Sequence, residues 1–448
     1  HSPRPPSVPS RGSLSRRSLL SAAGGAGAVA LLSACGSGPA APVTSGAVDL
    51  ALWTHDQGYQ DFFADGVPVA DAATDFTYDL TVTRAGAQDL VTKLLAQAVA
   101  GRGTPDVMGF EIGNFARMMR GDLAERLLVD WDERVADLGD DLIPARRAPY
   151  TIDGKLYALD SDTPMSVYYH RQDLFEQYGL PTDFETWDDL AEIGTRLAAD
   201  EGVALGAVAT GSDLGQVVQV FTMLLLQRGG ALFDADQNLA LDSPEAVQTL
   251  QFVVDGLRAG FITEVSDFYG ASMQAALKSG QVAGLWMASW YSAFGLKPNV
   301  PEQAGAWRLR PMPRWGQEGY ATAVAGGTGF TALVDKAATQ AAGDFLAATW
   351  ITPEGQIRRF RELTYLPTLR SVFDSPELEV ADEFFGGQQV IEVYRELVDD
   401  IPDYYQSADQ SILNDVLSGY LVQAYRGDLT PAQAIAGAAE DFRNQAER

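Results

Sequence analysis

Polar side chains directly follow two predicted strands, and their types and spacing suit ligand binding. Those after the segment 48–53 are His55, Asp56 and Gln57, and those after the segment 105–110 are Glu111 and Asn114. In open α/β sheets, ligands bind beside the carboxyl ends of the strands. Carboxylates, amides and imidazole rings hydrogen-bond in fixed directions. The pattern therefore predicts a polar binding site at one edge of a sheet.

A second polar group, Asp160, Asp162 and Thr163, stands after the segment 155–159. If a strand continues through it, the two carboxylates share one face, because side chains alternate along a strand. They could then hold hydroxyl groups of a ligand, or serve as the acid and the nucleophile of a glycosidase. The spacing alone leaves both interpretations open.

Aromatic side chains supply flat faces on which a ligand could stack. Trp290 and Tyr291 follow the apolar run 282–288, and Trp286 within that run is predicted to be core. Trp290 itself either stacks on a ligand or packs in the core. The other candidates for the site are Gln219, Gly327, Thr328, Arg361, Tyr365, Tyr404 and its neighbour Tyr405.

The sequence carries no motif for nucleotide or covalent chemistry. It has no nucleophile elbow, no phosphate-binding P-loop and no G-x-G-x-x-G unit after a strand. Its histidines are His1, His55 and His170, and Cys35 is its one cysteine. These are too few for a typical zinc site. We predict a binding protein that is not an enzyme, with no cofactor and no metal.

Alternating strands and helices position these residues, which predicts an α/β fold. Val48, Leu50 and Leu52 recur at every second position over 48–53, and apolar residues alternate with polar ones over 76–83. Both are patterns of strands, and a short helix is predicted between them over 59–64. A helix over 90–98 ends at Gly101. Later helices are indicated by Thr186 before Trp187, and by Ser or Thr before Pro244, Pro353, Pro376 and Pro431.

Length and charge limit the possible functions. The 448 residues exceed one ordinary core, so two domains are expected. The net charge is −28, from 60 acidic and 32 basic residues, which argues against a nucleic-acid partner. Because lysines are scarce, a phosphate or other anionic ligand is disfavoured.

The first 48 residues contain four arginines and no acidic residue. A basic start followed by a short apolar run predicts a secretory signal peptide over 1–34. The pair Arg16 and Arg17 resembles a twin-arginine export signal. The segment 32–35 resembles a lipobox, which would lipidate Cys35 and make 35–47 a flexible, lipidated tether. The alternative is a buried N-terminal helix with an incidental cysteine.

Several moderate motifs follow one another along the chain, at 50–54, 94–107, 153–159, 167–170, 174–190, 282–290, 326–329 and 341–353. In this order, over most of residues 48–445, they resemble the sugar-binding lipoproteins of bacterial ABC importers, extracellular solute-binding proteins similar to maltose-binding protein. The family's proline after the Asp-Gly-Lys strand is absent here, and His170 replaces its usual asparagine.

The resemblance implies an α/β fold of the periplasmic-binding-protein type, with two lobes, a ligand cleft between them and a hinge of about three chain crossings. The crossings would fall near 160–166, 324–327 and 373–378. The lobes would comprise 48–162 plus 326–375 (N-terminal) and 163–325 plus 376–448 (C-terminal).

The resemblance also implies roles for single residues. Asp56 and Gln57 match positions that hold sugar hydroxyls, and Trp290 matches a stacking residue. We therefore predict an exported monomer, lipid-anchored to the outer face of the cytoplasmic membrane. It would bind a small-molecule sugar, a di- or oligosaccharide, and deliver it by hinge closure to the permease subunits of an ABC importer. The alternatives are a secreted glycoside hydrolase, or a binding protein for a polyamine, an amino sugar or a glycerophosphate.

Overall fold

A computed structural model describes residues 41–316 and 319–446. The predicted signal peptide and Cys35 lie outside these residues, and only the end of the predicted tether lies within them. No helix in the described ranges combines the length and apolar character needed to cross a membrane.

Two groups of strands organise the chain. The strands are β1 Gly46–Thr54, β2 Phe76–Arg84, β3 Val107–Glu111, β4 Thr151–Ile152, β5 Lys155–Leu156, β6 Leu159–Asp160, β7 Ser166–Arg171, β8 Gly206–Ala209, β9 Ile262–Val265, β10 Gly284–Ala288, β11 Trp307–Pro311 and β12 Thr328–Ala332. A five-stranded sheet has the order β2-β1-β3-β12-β6, with β1 parallel to β2 and β3, and β12 antiparallel to β3 and β6. We call the part of the chain around it the first lobe. The antiparallel sheet β10-β7-β11 and the parallel pair β8-β9 form the centre of the second lobe.

Helices flank both groups of strands, and the predicted α/β class is confirmed. They are α1 Gln57–Ala73, α2 Ala87–Ala100, α3 Ile112–Phe115, α4 Leu123–Leu127, α5 Asp132–Val135, α6 Pro144–Arg147, α7 Gln172–Tyr178, α8 Trp187–Glu201, α9 Leu214–Arg228, α10 Pro244–Ala259, α11 Ala271–Ser279, α12 Lys297–Asn299, α13 Thr339–Thr349, α14 Pro353–Leu363, α15 Val390–Leu397, α16 Gln410–Arg426 and α17 Pro431–Ala446. Thr186 and Asp189 form a capping box at α8, as expected from the sequence. Pro376 begins only a three-residue 3-10 turn, so its prediction as a helix start was wrong in extent.

Helix α1 is much longer than the predicted segment 59–64. It runs for 17 residues and buries Tyr59, Phe62, Phe63, Gly66 and Ala70 on one face. These positions follow the 3.6-residue period of a helix, so burial against the sheet sustains it. Beyond Phe63 the helix contains Gly66 and Pro68, which are poor helix formers, so the sequence favours a shorter helix than the structure has.

Two chain crossings lie side by side between the lobes. The chain leaves β6 at Asp160 and enters β7 at Ser166, and it returns over the residues before β12. Met165 and Val324 form an antiparallel bridge, and the Ser166 N–H donates to the Ala323 carbonyl at 2.8 Å. The first two crossings are therefore joined by backbone hydrogen bonds.

A third passage follows α14. Leu369 pairs with Leu142 of the first lobe, whereas α15 packs against β11 of the second lobe. The chain passes between the lobes over 370–389, a range that includes the predicted 373–378. The detailed lobe boundaries stay predictions.

Candidate functional site

A cavity of about 700 Å³ lies between the lobes, and both paired crossings contribute to its wall. The sequence-predicted residues that line it are His55, Asp56, Glu111, Asp162, Gln219, Trp290, Gly327, Thr328, Tyr365 and Tyr404. They come from loops and elements far apart in the chain, so the fold brings them together around one space. The other predicted residues lie elsewhere in the molecule.

The first lobe contributes two carboxylates that also cap helices. Asp56 precedes α1, and its Oδ1 accepts the Gly58 N–H at 2.7 Å. Glu111 ends β3, and its Oε2 accepts the Asn114 N–H at 3.2 Å. In each case one oxygen is engaged by the helix start, which favours a negative charge there. Capping thus fixes the carboxylates at the cavity wall.

Gln57 and Asn114 do not line the cavity, contrary to prediction. Gln57 is exposed and donates to Asp61 at 2.7 Å, because it is the first residue of α1 and faces outward. The Asn114 amide instead turns back to the Glu111 carboxylate at 2.9 Å. Asn114 therefore holds Glu111 in place rather than facing the cavity.

His55 lies deep in the wall beside these acids. Burial lowers the pKa of His55, although the negative charges of Glu111 and Asp56 oppose this effect. The ring is therefore neutral at neutral pH. Within the described residues its Nδ1 is buried and has no hydrogen-bond partner.

The acids of the first crossing have separate surroundings. Strand β6 ends at Asp160, so the strand that would place Asp160 and Asp162 on one face does not continue to Asp162. Asp160 forms a salt bridge with Arg146, and both side chains are fully buried. Only Asp162 lines the cavity, where its Oδ1 accepts the Ser161 hydroxyl at 2.6 Å. Asp160 is therefore a structural residue.

Thr163 is also structural. It is fully buried, and its hydroxyl donates to the Pro367 carbonyl at 2.6 Å. That bond connects the first crossing to the loop after α14. The side chain consequently does not reach the cavity.

Arg146 lies behind the cavity wall and connects the two paired crossings. Its Nε donates to the Asp162 carbonyl at 3.1 Å and its Nη2 to the Gly326 carbonyl at 3.2 Å. One guanidinium thus holds the backbone of both paired crossings. Gly327 has φ +123°, and a Cβ there would lie 2.7 Å from Arg146 Nη2. A side chain at position 327 would therefore collide with the Arg146 guanidinium. Gly327 also lines the cavity.

The aromatic faces of the cavity come mainly from the second lobe. Trp290 is half-buried, and its Nε1–H donates to the Ala325 carbonyl at 2.7 Å. Tyr269 lies next to it, with ring centroids 6.2 Å apart and an interplanar angle of 36°. Phe294 faces Tyr365 across the lobes, with centroids 6.3 Å apart and rings nearly parallel at 29°. These rings form two flat patches on the cavity wall.

Three aromatic predictions are settled by burial and contacts. Tyr291 is fully buried and its hydroxyl donates to the Phe268 carbonyl at 2.9 Å, so it does not line the cavity. Trp286 is buried in the core, as predicted. Tyr405 donates to Asp403 at 3.0 Å, and its neighbour Tyr404 lines the cavity instead.

Arg361 lies at a different place. It lines a separate cavity of about 260 Å³ and forms a half-exposed ion pair with Glu377 at 3.3 Å. It stands on the last turns of α14, where the helix directs it away from the large cavity. Arg361 is therefore not among the residues that line the large cavity.

Sequence reasoning missed several residues of the site. They include Tyr59, Arg146, Asp213, Tyr269, Phe294 and Gln410. Asp213 follows strand β8 and caps α9, so the rule that found Asp56 would have found it too. Gln410 begins α16, and no local pattern connects that helix to the cavity. Buried arginines are rare, so nothing in the sequence marked Arg146.

Comparison with known proteins adds an independent line of information. Residues 39–357 match the family model described as bacterial extracellular solute-binding protein. The chain is 27% identical to an arabinooligosaccharide-binding protein of Halalkalibacterium halodurans, over 83% of this chain and 85% of the relative. It is 25% identical to an arabinooligosaccharide-binding protein of Bacillus subtilis, over 90% and 93% of the two chains.

Among solved structures, the chain is similar to the cyclic α-maltosyl-1,6-maltose binding protein from Arthrobacter globiformis. The TM-score is 0.74 at 21% identity, and the match covers 89% of this chain and 99% of the other. At this identity the likeness establishes a shared fold.

Proposed function

Because the chain belongs to the family of bacterial extracellular solute-binding proteins, we propose that it binds a di- or oligosaccharide and delivers it to an ABC importer. The observation that carries the proposal is the cavity between the lobes. It combines capped carboxylates such as Asp56 and Glu111 with flat aromatic faces such as Trp290. Sugars need both, since they present hydroxyl groups and apolar ring faces.

The relatives support the choice of ligand class. The relatives from Halalkalibacterium halodurans and Bacillus subtilis are both named for arabinooligosaccharide binding and match most of this chain. A glycerophosphate is less suitable, because none of the described residues that line the cavity is lysine or arginine. Both the residues of the cavity wall and the relatives therefore support a saccharide as the ligand.

Delivery would use closure of the lobes around the bound sugar. The two paired crossings are joined by backbone hydrogen bonds at Met165 and Val324, so they can bend together. Hinge closure of this kind is a common response to ligand binding. In our proposal the closed monomer, with lobes divided as the sequence predicts, presents both lobes to the permease subunits of the importer.

The proposal assigns no catalytic step to the cavity. A glycosidase needs two carboxyl groups that flank the scissile bond. Asp160 is buried in its salt bridge with Arg146, which leaves Asp162 as the one member of the predicted pair at the cavity. The relatives are binding proteins, in agreement with this assignment.

The test of this function is a thermal-denaturation panel of arabino-, galacto- and malto-oligosaccharides on the purified protein. A cognate sugar at about 100 times its Kd should add about 2.7 kcal/mol to the free energy of unfolding. The sugar recovered afterwards should be chemically intact. If no saccharide stabilises the protein, amino sugars included, or if the best one is cleaved, the proposed function is wrong.

We further propose that the protein is exported and anchored by lipid on Cys35. The proposal is supported by the basic, acid-free N-terminal segment and by the lipobox-like residues 32–35. Cys35→Ala should therefore release the protein from the membrane fraction or leave an uncleaved precursor. Fractionation followed by mass measurement distinguishes these results from a cleaved variant that stays membrane-bound, which would contradict the anchor.

A further inference from the structure

The cavity carries negative charge that the protein does not neutralise. Its lining includes Asp56, Glu111, Asp162 and Asp213, and none of the described lining residues is lysine or arginine. Burial raises the pKa of Asp162, and the buried guanidinium groups of Arg146 and Arg359 oppose this effect and offset its charge. The other three form no salt bridge within the described chain. Because cavity walls of low dielectric focus the field of such charges, the space between the lobes favours a cation.

Four of the described lining residues have a buried polar atom without a partner, and two of these atoms are carboxylate or amide oxygens, which are acceptors. Asp162 Oδ2 and Gln410 Oε1 belong to side chains that are each 2% exposed, and neither atom has a partner in the described chain. Both residues line the cavity. Two donors of the wall are already used, since Trp290 Nε1–H donates to the Ala325 carbonyl and Gln410 Nε2 donates to Asn414 Oδ1 at 2.9 Å. An orphaned buried acceptor is costly, so the ligand must bring donors.

From this surplus of charge and acceptors we propose that the saccharide carries at least one protonated amine, so that the ligand is an amino sugar or an oligosaccharide that contains one. The inference rests on the proposed function and specifies its substrate class. An ammonium group supplies three donors, no acceptor and a positive charge, which suits the carboxylates and the unpaired oxygens of Asp162 and Gln410. The faces of Tyr269 and Trp290 would further attract a cation.

The charges of Asp56 and Asp213 can be removed without loss of the helix caps that these two residues form. Asparagine caps a helix about as well as aspartate, so Asp56→Asn and Asp213→Asn remove charge and keep the capping oxygen. Asp234 provides a matched control, because its carboxylate also accepts backbone N–H groups, at 3.0 Å from Asp236 and 2.8 Å from Asn238, but lies outside the cavity lining. Asp234→Asn should leave ligand affinity unchanged.

The experiment is calorimetric titration of the purified protein with three matched series: β-1,4-linked glucosamine oligomers, their N-acetylated forms and cello-oligosaccharides of equal length. The free-amine series should bind about tenfold more tightly or better, since a hydrogen bond to a charged partner contributes that much. Asp56→Asn and Asp213→Asn should each reduce this preference, and added salt should weaken it.

The possible results separate the inference from the proposed function. One result is that neutral sugars bind as tightly as the free-amine series or more tightly, in these series or among the arabino-, galacto- and malto-oligosaccharides. That result overturns the inference that the ligand carries an amine and leaves the saccharide function intact. Binding of spermidine with no saccharide bound overturns both. A preference for the amine that survives both asparagine substitutions also overturns the inference, because it would not depend on these charges.

Discussion

Replacing Trp290 with alanine should weaken saccharide binding by about 2–4 kcal/mol, the range of a central anchor residue. The indole is half-buried at the cavity wall and is fixed by its bond to the Ala325 carbonyl at 2.7 Å. Because the ring is already held in place by Ala325 and by Tyr269, it loses little entropy when a sugar stacks on it. Alanine removes this face altogether. Calorimetric titration with the best sugar of the panel gives the affinity.

Two further variants separate stacking from folding. Trp290→Phe keeps an aromatic face but loses the N–H bond to Ala325, so its affinity should fall less than that of the alanine variant. Trp286→Phe alters a buried core ring and should lower the melting temperature without changing affinity. Normal affinity together with a collapsed melting temperature in Trp290→Ala would assign Trp290 to the core and contradict its role as a stacking residue.

The sequence predicted the fold and much of the cavity because both depend on local patterns. Strand alternation and helix caps are readable from short segments, and His55, Asp56 and Glu111 line the cavity at the ends of β1 and β3, as the strand-end rule predicts. Trp290 was predicted from the family resemblance. Its role as a stacking residue stays a prediction. Asp213 could have been found by the same strand-end rule.

The remaining residues depend on which way a side chain turns, and this is decided by distant contacts. Tyr291 is adjacent to Trp290, yet it points into the core because its hydroxyl reaches the Phe268 carbonyl. Asp160 and Asp162 are two residues apart, yet Arg146 binds the carboxylate of the first and only the carbonyl of the second. No spacing rule contains such information, since Arg146 precedes Asp160 by 14 residues.

Arg146→Met should lower the free energy of unfolding by about 3–5 kcal/mol near pH 8, the usual cost of removing one member of a buried ion pair. The substitution leaves the Asp160 carboxylate buried without a counter-ion. It also removes two bonds that join the crossings, to the Asp162 and Gly326 carbonyls. Chemical denaturation measures the loss. An unfolding free energy equal to that of the wild type would contradict the structural role of Arg146.

The loss of stability in Arg146→Met should depend on pH, and the direction of this dependence follows from the pKa of Asp160. Burial raises the pKa of Asp160 to about 7, although Arg146 opposes this effect. The folded state therefore holds a proton that the unfolded state releases, and stability falls as pH rises between the unfolded and folded pKa values. Without Arg146 the folded pKa rises further, so this fall extends to higher pH. The deficit of Arg146→Met should thus be smaller at about pH 6 than at about pH 8.

A second substitution tests whether the deficit comes from the charge. Asparagine at position 160 is neutral and can still accept the Ser161 N–H, which now binds Asp160 Oδ1 at 2.7 Å. The double variant Arg146→Met/Asp160→Asn should therefore be more stable than Arg146→Met alone, because no uncompensated charge is left in the hinge. Its stability should also depend less on pH. If the two substitutions are additive, Arg146 acts through its bonds to the crossings, and the ion pair itself contributes nothing to the hinge.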